Sequence, residues 1–210
     1  NINWMMSHEI RMASDAFGPH AEEIKPVISA GSSDSAALDA VFEMLVHAGR
    51  SAPLAKLVLI PESWSNQTAM PESHRALYSY CNCIMEPWDG PAAVAATDGR
   101  WVIAGMDRNG LRPLRYTITD DGMVFVGSEA GMVPLAEAHV LKKGRVGPGE
   151  IIGVDLRQGR FYHDREIKDE LAAAHPYGEW IQNIKMGNDL PRPPGPDVDA
   201  DWSRETLRAR

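Results

Sequence analysis

Residues 92–127 read AAVAATDGRWVIAGMDRNGLRPLRYTITDDGMVFVG, and this stretch decides the fold class. It contains two turn signals, Asp98-Gly99 and Asp120-Asp121-Gly122, and each lies between two apolar runs. An Asp-Gly turn between runs rich in Val, Ile, Ala and aromatic residues is a strong signal for a β-hairpin. The predicted strand pairs are Ala92–Thr97 with Arg100–Met106, and Leu114–Thr119 with Met123–Gly127.

A third pair of strands is predicted further along the chain. Ile151–Leu156 and Arg160–His163 enclose the turn Arg157-Gln158-Gly159, and Gly147-Pro148-Gly149 interrupts the chain before them. A short charged helix is predicted next, over Glu166–Ala174. The middle of the chain is therefore predicted to form antiparallel hairpins.

The N-terminal part has the periodicity of helices instead. Its clearest helix starts after Ser33 or Asp34, either of which can cap it, and ends at Gly49. The apolar positions that recur at helical spacing in this helix are Leu38, Val41, Phe42, Leu45 and Val46. Two further helices are predicted, over residues 2–14 and over Met70–Met85 with Pro71 in its first turn.

Two stretches receive no helix or strand. Between Leu54 and Pro71 a short apolar run, Leu57–Ile60, is mixed with turn residues, so no element is predicted there. Beyond Met186 the composition shifts to Pro and Asp. We therefore predict a domain over residues 1–185 and a proline-rich linker over residues 186–210.

The order of the elements predicts the fold class. Helices followed by a run of antiparallel hairpins are typical of an α+β protein with helices on one face of a sheet. The strands are rich in Val and Ala, which suits a sheet covered on both faces, with a second sheet expected to come partly from sequence outside this chain.

Composition excludes several classes of partner. The 210 residues carry a formal net charge of -8, which disfavours nucleic-acid binding because phosphate contacts need clustered Lys and Arg. No apolar run approaches the roughly 20 residues that cross a bilayer, and the N-terminus lacks a secretory signal, so we expect no membrane partner and a cytoplasmic location. Cys81 and Cys83 are separated by one residue, which is poor spacing for a disulfide or a zinc site, and they are interpreted as reduced thiols. No metal site is expected.

Ser33-Asp34-Ser35 is the first group of residues that can carry chemistry. An Asp between hydroxyl residues at a helix start can cap backbone N–H groups, and the helix dipole favours its ionised form. A carboxylate fixed in this way can also bind an ammonium group, such as the α-amine of an amino acid. From these residues alone both interpretations stay open, and capping is the commoner one.

Residues 107–112 form the second group. Asn109-Gly110 predicts a tight turn, while Asp107, Arg108 and Arg112 bring charge to the end of a hairpin. They can form a structural ion-pair cluster or an anion site, and the structural role is the commoner one. Ser128-Glu129, after the next strand, is expected to lie close to them.

Taken in order along the chain, these groups resemble the class II glutamine amidotransferases, which are N-terminal-nucleophile hydrolases. The resemblance rests on Ser33-Asp34-Ser35 before a helix, on the turn Asp107–Leu114 and on Ser128-Glu129 after a strand. It implies an αββα sandwich of four layers, in which helices cover two antiparallel sheets. It also implies that Asp34 binds the α-amino group of glutamine, and that Asp107, Arg108, Gly110 and Arg112 form a structural turn near the site.

The resemblance narrows to the glutaminase domain of glutamate synthase large subunits. It covers about residues 1–185 and rests on Asn1–Met5, Met85–Ala92, Gly105–Arg115 and Pro176–Trp180. In that family the nucleophilic Cys, the oxyanion-hole residues and an Arg for the substrate carboxylate precede the segment similar to Asn1–Met5. We therefore expect this chain to be the C-terminal half of the domain, to contain no catalytic residue and to be inactive alone.

The family also implies a reaction and partners. Glutamine is hydrolysed to glutamate and ammonia, and the ammonia is used for the reductive amination of 2-oxoglutarate in glutamate biosynthesis. The parent enzyme is expected to use FMN and an iron-sulfur cluster in other domains of the large subunit, with a small electron-transfer subunit or ferredoxin as partner. No cofactor is expected in this segment. The alternative is a non-catalytic module of the same fold that binds an amino acid or a protein.

Overall fold

The computed structural model describes residues 12–185 and Pro191, and antiparallel hairpins form its centre, as the Asp-Gly turns predict. Its strands are β1 (Ala93–Thr97), β2 (Trp101–Met106), β3 (Arg115–Thr119), β4 (Val124–Gly127), β5 (Val140–Arg145), β6 (Ile151–Asp155) and β7 (Arg160–Tyr162). Its α-helices are α1 (Asp34–His47), α2 (Ala52–Leu59), α3 (Glu72–Ile84), α4 (Asp164–Ala173) and α5 (Tyr177–Trp180). Short 3-10 helices cover Asp15–His20, Glu137–His139 and Ile181–Asn183.

All three predicted hairpins are confirmed. The strand pairs β1–β2, β3–β4 and β6–β7 are antiparallel. Gly99, Gly122 and Gly159 in the three turns have φ of 85°, 83° and 62°. These backbone angles lie in the left-handed region that glycine enters without steric strain, which explains why each turn contains a glycine.

The strands form two sheets whose inner faces pack on each other. One sheet has the order β1-β2-β6-β7 and the other the order β4-β3-β5. Buried side chains from both sheets and from the segments between them form the core of this contact: Ala104, Met106, Leu114, Tyr116, Val146 and Ile152. Residues of the chain itself thus supply strands to both sheets.

The helices cover the opposite face of the four-stranded sheet. Alternate residues of the central strands, among them Ile103 of β2 and Ile151 of β6, point toward the helices and are buried against them. Helix α2 packs on β2, and helix α4 packs on β6. The described residues therefore form an α+β structure with a helical layer and two sheets, which is three layers of the αββα sandwich.

Helices α1, α3 and α4 lie where they were predicted, within two residues at each end. Ser33 caps α1, and Gly49 follows it with a φ of 91°. Pro71 is the N-cap of α3. The helix predicted over residues 2–14 lies largely outside the described residues, and so does the predicted linker apart from Pro191. Within the described part of the chain, no helix has the length and apolar character that would let it cross a membrane.

Helix α2 was missed because burial on all sides removes the helical pattern. All of its residues except Leu54 are buried, so its sequence APLAKLVL shows no polar face. Ser51 caps it, since its hydroxyl lies 3.5 Å from the N–H of Leu54, and Pro53 lies in its first turn. The apolar run Leu57–Ile60 is thus the end of a core helix.

Strand β5 was missed for the opposite reason. Its sequence VLKKGR has exposed side chains at most positions and no apolar alternation. Register pairing with β3 sets its conformation, and that pairing joins residues distant in the sequence. The strand is therefore a product of tertiary structure and carries little local signal.

Asp98 ties the first hairpin to the helical layer. One carboxylate oxygen accepts hydrogen bonds from the backbone N–H groups of Arg100 (2.9 Å) and Trp101 (2.6 Å), and the other accepts from Ala52 at the start of α2 (2.7 Å). Partial burial alone would raise the pKa of Asp98, but these N–H donors hold it below its ordinary value.

We expect Asp98→Ala to lower the free energy of unfolding by about 2 kcal/mol. The substitution removes three hydrogen bonds from backbone N–H groups to a charged acceptor, and it leaves the N–H of Ala52 without an acceptor. Because the folded-state pKa is depressed, this stability is present above the unfolded pKa and is lost as pH falls through the folded pKa. Urea denaturation at pH 7 and at pH 3 measures both effects. A change in stability of equal size at the two pH values would contradict this role.

Candidate active-site groove

A groove of about 1130 Å³ runs along the edge strand β1. Helix α1 forms one side of it, with Ser35, Leu38, Asp39 and Phe42 among its lining residues. Arg112, Pro113, Ser128 and Glu129 line it as well. The groove is therefore lined by one residue of each group that the sequence singled out, Ser35 and Arg112, whereas Asp34 is adjacent to Ser35 but is not among the lining residues.

The start of α1 shows how the Ser33-Asp34-Ser35 group divides its roles. The hydroxyl oxygen of Ser33 accepts a hydrogen bond from the N–H of Ala36 (3.2 Å) and lies 3.2 Å from the hydroxyl of Ser35. Asp34 is the first residue of the helix and is exposed. Among the described residues, its carboxylate has no hydrogen-bond or ion-pair partner. Ser33 is thus the N-cap of α1, and Asp34 lies inside the helix as its first residue.

Asp107 is buried and holds the turn after β2 through the backbone. One carboxylate oxygen accepts from the N–H groups of Asn109 (2.8 Å) and Gly110 (3.1 Å), and the other accepts from Ala92 (3.0 Å) before β1. Its backbone carbonyl accepts from Gly110 and Gly149. The turn predicted at Asn109-Gly110 is confirmed, and Asp107 joins it to the start of β1.

The idea that Asp107, Arg108 and Arg112 form one ion-pair cluster is wrong within the described residues. Asp107 is occupied by backbone N–H groups, and Arg108 pairs with exposed Asp89 at 2.9 Å. Arg112 is exposed and lines the groove, as Glu129 does. Ser128 and Glu129 line the same groove as Arg112.

Gly110 is required for two reasons. Its φ is 62°, and a Cβ placed there would lie 2.7 Å from the Cγ and 2.9 Å from the Cα of Pro148. Gly159 has the same φ, but no heavy atom lies within 4 Å of the position that a Cβ would take there. A comparison of alanine substitutions at the two glycines therefore separates the free-energy cost of the left-handed backbone from the cost of the clash with Pro148.

We expect Gly159→Ala to destabilise the protein by about 1 kcal/mol, which is the cost of the left-handed conformation alone. Gly110→Ala is expected to be worse by at least a further ~2 kcal/mol, because the backbone atom of Pro148 cannot move without shifting the turn. Chemical denaturation of the two variants measures the difference. Equal losses of stability would show that the contact with Pro148 is unimportant.

Lys56 is a feature of this region that the sequence analysis missed. It lies on α2, lines the groove and has 1% of its surface exposed, and its Nζ has no hydrogen-bond partner among the described residues. Gly105 of β2 makes room for it, because a Cβ there would lie 2.7 Å from its Cε. Burial, followed by repulsion from Lys168, lowers the pKa of Lys56 to about 7. The local signal for it was a lysine within the apolar run APLAKLVLI at residues 52–60.

Lys168, on α4, is buried beside Lys56 but is fully paired. Its Nζ lies 2.7 Å from Oε1 of Glu62 and 2.8 Å from Oδ1 of Asp164. The hydroxyl of Tyr78 donates to the same oxygen of Glu62 (2.7 Å), and the N–H of Ile151 donates to Asp164 (2.9 Å). The helical layer beneath the groove therefore contains a connected polar network with one paired and one unpaired lysine.

The two cysteines lie on α3 and are free thiols, as expected. Cys81 is buried and Cys83 is exposed. Burial raises the pKa of Cys81 to about 12, which leaves it protonated and a poor nucleophile. Neither cysteine is among the residues that line the groove.

The sequence matches the model of an enzyme family. The family model for class-II glutamine amidotransferases matches residues 1–180, and the chain belongs to this family. Its sequence is similar to those of glutamate synthases. It is 57% identical over 190 residues to the glutamate synthase [NADPH] large chain of Azospirillum brasilense, and this match covers 90% of the chain and 12% of that protein.

Other relatives give the same picture. The glutamate synthase [NADPH] large chain of Bacillus subtilis is 42% identical over 182 residues, which cover 87% of the chain. The chloroplastic ferredoxin-dependent glutamate synthase of Spinacia oleracea is 43% identical over 199 residues, which cover 91%. The chain spans 12% of the length of each of these relatives.

Proposed function

We propose that this chain is the part of a glutamate synthase glutaminase domain that binds the α-amino end of glutamine, and that Asp34 is the residue that binds it. The observation that carries the proposal is the division of roles at the start of α1. Ser33 caps the helix, which leaves the exposed Asp34 carboxylate without a structural partner among the described residues. The adjacent Ser35 lines the groove. A carboxylate in this position can accept charge-assisted hydrogen bonds from an ammonium group.

The N-terminus of α1 supports this role electrostatically. The positive end of the helix dipole interacts favourably with a carboxylate in the first turn, which is where Asp34 lies. Arg112 and Glu129 add charged side chains to the other side of the groove. In this proposal the turn held by Asp107 sets the position of Arg112 relative to α1.

The reaction itself needs a nucleophile from outside this sequence. Hydrolysis of the side-chain amide proceeds by attack of a nucleophile on the amide carbon, release of ammonia and hydrolysis of the resulting acyl-enzyme by water. Cys81 does not suit the role because it is buried and protonated, and Cys83, although exposed, does not line the groove. We therefore propose that the chain supplies substrate binding and that it does not hydrolyse glutamine by itself.

The proposed parent enzyme transfers the ammonia to 2-oxoglutarate with the use of FMN and an iron-sulfur cluster. The described residues do not fit a cluster, since their two thiols both lie on α3 and one of them is buried, whereas clusters are held by four cysteine ligands. We place these cofactors in other domains of the large subunit. The names of the relatives include both NADPH and ferredoxin, and the electron donor proposed here is a small electron-transfer subunit or ferredoxin.

Substitutions at the neighbouring residues Asp34 and Ser33 test the role of Asp34. They are made in a chimera in which residues 1–180 replace the matching segment of the Azospirillum brasilense large chain. Asp34→Ala is expected to raise the glutamine KM at least about 30-fold, because it removes one partner of an ion pair. Its effect on stability is expected to be below about 1 kcal/mol, since only the dipole interaction is lost. Steady-state ammonia release and thermal unfolding measure the two effects.

Ser33→Ala is the matched control. It is expected to lower stability by about 1 kcal/mol through loss of the cap, and to leave the glutamine KM within about threefold of the parent value. The opposite pattern, with KM changed by Ser33→Ala and unchanged by Asp34→Ala, would rule out Asp34 as the residue that binds the amine.

A further inference from the structure

One edge of the four-stranded sheet is the strand β1, and every second residue of this strand has backbone groups that face away from the sheet. The N–H of Asp98, directly after β1, donates to the carbonyl of Trp101 in β2 (3.3 Å). Hydrogen-bonded positions alternate along an antiparallel pair, so the register of β1 with β2 fixes which groups are used. Among the described residues, no strand pairs with the outward-facing groups, which belong to Ala93, Ala95 and Thr97.

This edge lacks the features that protect edge strands from further pairing, which are charge, proline, bulges or short length. At the opposite edge of the same sheet, β7 has three residues and one of them is Arg160. In the other sheet, the edge strand β5 carries Lys142 and Lys143. Strand β1 has the sequence AVAAT and an unbroken register with β2. Its edge is therefore typical of a strand that has neighbours on both sides.

Helix α1 forms the opposite wall of the groove along β1 and lies beside α2 in the helical layer. Leu38, Phe42 and Val46 recur at four-residue spacing and form an apolar row in that wall. The row next to it is polar and exposed, and it includes Asp39 and Glu43. The helical layer thus extends past the edge of the sheet by one apolar row, and below that row the described residues place no strand.

The size of the groove fits one strand. A strand of five residues, the length of β1, is about 17 Å long. Strands in a sheet are about 5 Å apart and packed layers are about 10 Å apart, so one added strand fills roughly 850 Å³ and two fill about twice that volume. The groove, at about 1130 Å³, is large enough for one strand and too small for two. A second copy of the chain does not fit, because its own β1 would bring β2 with it.

We propose that β1 binds one extended segment of polypeptide, which adds a strand to the sheet, and that this segment belongs to the part of the parent enzyme outside these 210 residues. The source of the segment rests on the proposed function. The chain spans 12% of the Azospirillum brasilense relative, so a parent of that kind has ample sequence to supply it. Alternate side chains of the segment face Phe42 and Val46 and are apolar.

The added strand leaves one end of the groove for glutamine. Helix α1 is followed by Ala52, whose N–H is held by Asp98 at the end of β1 (2.7 Å). The end of α1 therefore lies near the end of β1, and the start of α1, with Ser35, lies near the start of β1. Arg112 follows the turn after β2, which is at the same end. The residues proposed to bind glutamine are thus beyond the end of the added strand.

Amide hydrogen exchange in the absence of glutamine tests the pairing, in the 210-residue chain alone and in the chimera described above. In the chain alone we expect the N–H groups of Ala95 and Thr97 to exchange fast, because they face water. In the chimera their exchange is expected to be at least about a hundredfold slower, because they are bonded to the added strand. The result does not depend on ammonia release, so it stays separate from the test of Asp34.

Two results would overturn the proposal. The first is equal exchange of these groups in the chain and in the chimera. The second is protection in the chain alone that increases with its concentration, which would assign the edge to a second copy.

Substitution of Ala95 in the chimera tests the role of its outward N–H. Ala95→Pro removes this N–H and leaves the bonds between β1 and β2 in place, so we expect the protection of Thr97 to fall at least about tenfold. Slow exchange of Ile103 in β2 shows that the hairpin is intact. Ala95→Val keeps the N–H and is the control, with exchange like that of the unsubstituted chimera. Protection that survives Ala95→Pro, or that is lost equally in Ala95→Val, would contradict the pairing.

Discussion

Replacing Lys56 by methionine is expected to raise the free energy of unfolding at pH 7, by an amount on the order of 2 kcal/mol. The amine is buried without a hydrogen-bond partner among the described residues, so the folded state gives up its hydration and gains little in return. Methionine is flexible and of similar length, so we expect it to occupy the space that the lysine side chain fills beside Gly105. Most substitutions at buried positions destabilise a protein, which makes a gain at this position informative.

The effect of Lys56→Met is expected to depend on pH with a definite sign. The folded-state pKa of about 7 lies below the ordinary lysine value of 10.5. Between these two values the unfolded chain binds a proton that the folded chain has released, so the stability of the parent chain rises with pH. Between pH 6 and pH 8.5 the titration of Lys56 raises the free energy of unfolding of the parent chain by about 2 kcal/mol. The variant lacks this rise. Its advantage over the parent chain should therefore shrink as pH rises.

Other titratable groups limit the pH range in which the titration of Lys56 can be followed. Carboxylates that face Lys56 from neighbouring segments are Glu62, Asp107 and Asp164, and Lys168 faces it from α4. At higher pH the buried Tyr78, Cys81 and Tyr177 become relevant, because burial raises the pKa of each and opposes their ionisation. Their raised pKa values make stability fall as pH rises above their unfolded values, so measurements should stop near pH 8.5.

Urea denaturation of Lys56→Met and of the parent chain from pH 6 to pH 8.5 measures the expected difference. Lys185→Met, at an exposed lysine, is the control and should follow the parent chain at every pH. A variant that is less stable than the parent chain at pH 6 would show that Lys56 has a stabilising partner in the folded protein. Parallel pH profiles would show that Lys56 does not titrate in this range.

Lys168→Met is expected to have the opposite effect, with a loss of about 3 kcal/mol. Its ammonium group lies 2.7 Å from Glu62 and 2.8 Å from Asp164, so methionine would leave two carboxylates in the helical layer without their cation. Removing one partner of a buried ion pair destabilises a protein because the remaining charge stays desolvated. The substitution is chemically the same as that at Lys56, which makes the two variants a matched pair.

Denaturation of Lys168→Met at pH 7 gives the expected loss directly. The double variant Lys56→Met, Lys168→Met completes a thermodynamic cycle, and the two effects should not add, because repulsion between the lysines disappears once either is removed. A stabilising Lys168→Met would contradict the assignment of Lys168 as the cation that the network requires.

The parts of the fold with a clear local signal could be predicted from the sequence. Gly99, Gly122 and Gly159 fix the three hairpin turns, and Ser33 and Gly49 mark the ends of α1. Helix α2 could not be recognised, because a helix buried on nearly all sides has no polar face. Strand β5 could not be recognised either, since its conformation depends on pairing with β3.

Only part of the candidate site could likewise be predicted from the sequence. The sequence singled out Asp34, Arg112 and Glu129, and the structure places Arg112 and Glu129 in one groove with Ser35, the neighbour of Asp34. The sequence did not show that the carboxylate of Asp107 accepts hydrogen bonds from backbone N–H groups and does not pair with the arginines. One of those contacts depends on where Ala92 lies in the fold. Lys56 and Lys168 were overlooked for a related reason, since burial and pairing of a lysine arise only when α2, α4 and the sheet come together.

The measurement that tests the central proposal most directly is ammonia release from glutamine by three purified proteins. They are the Azospirillum brasilense large chain, the chimera in which residues 1–180 replace its matching segment, and the 210-residue chain alone. We predict that the chimera releases ammonia at a rate within about tenfold of the parent enzyme and that the chain alone releases none. A chimera that folds as the parent enzyme does but releases no ammonia would contradict the proposal that this chain completes a glutaminase site.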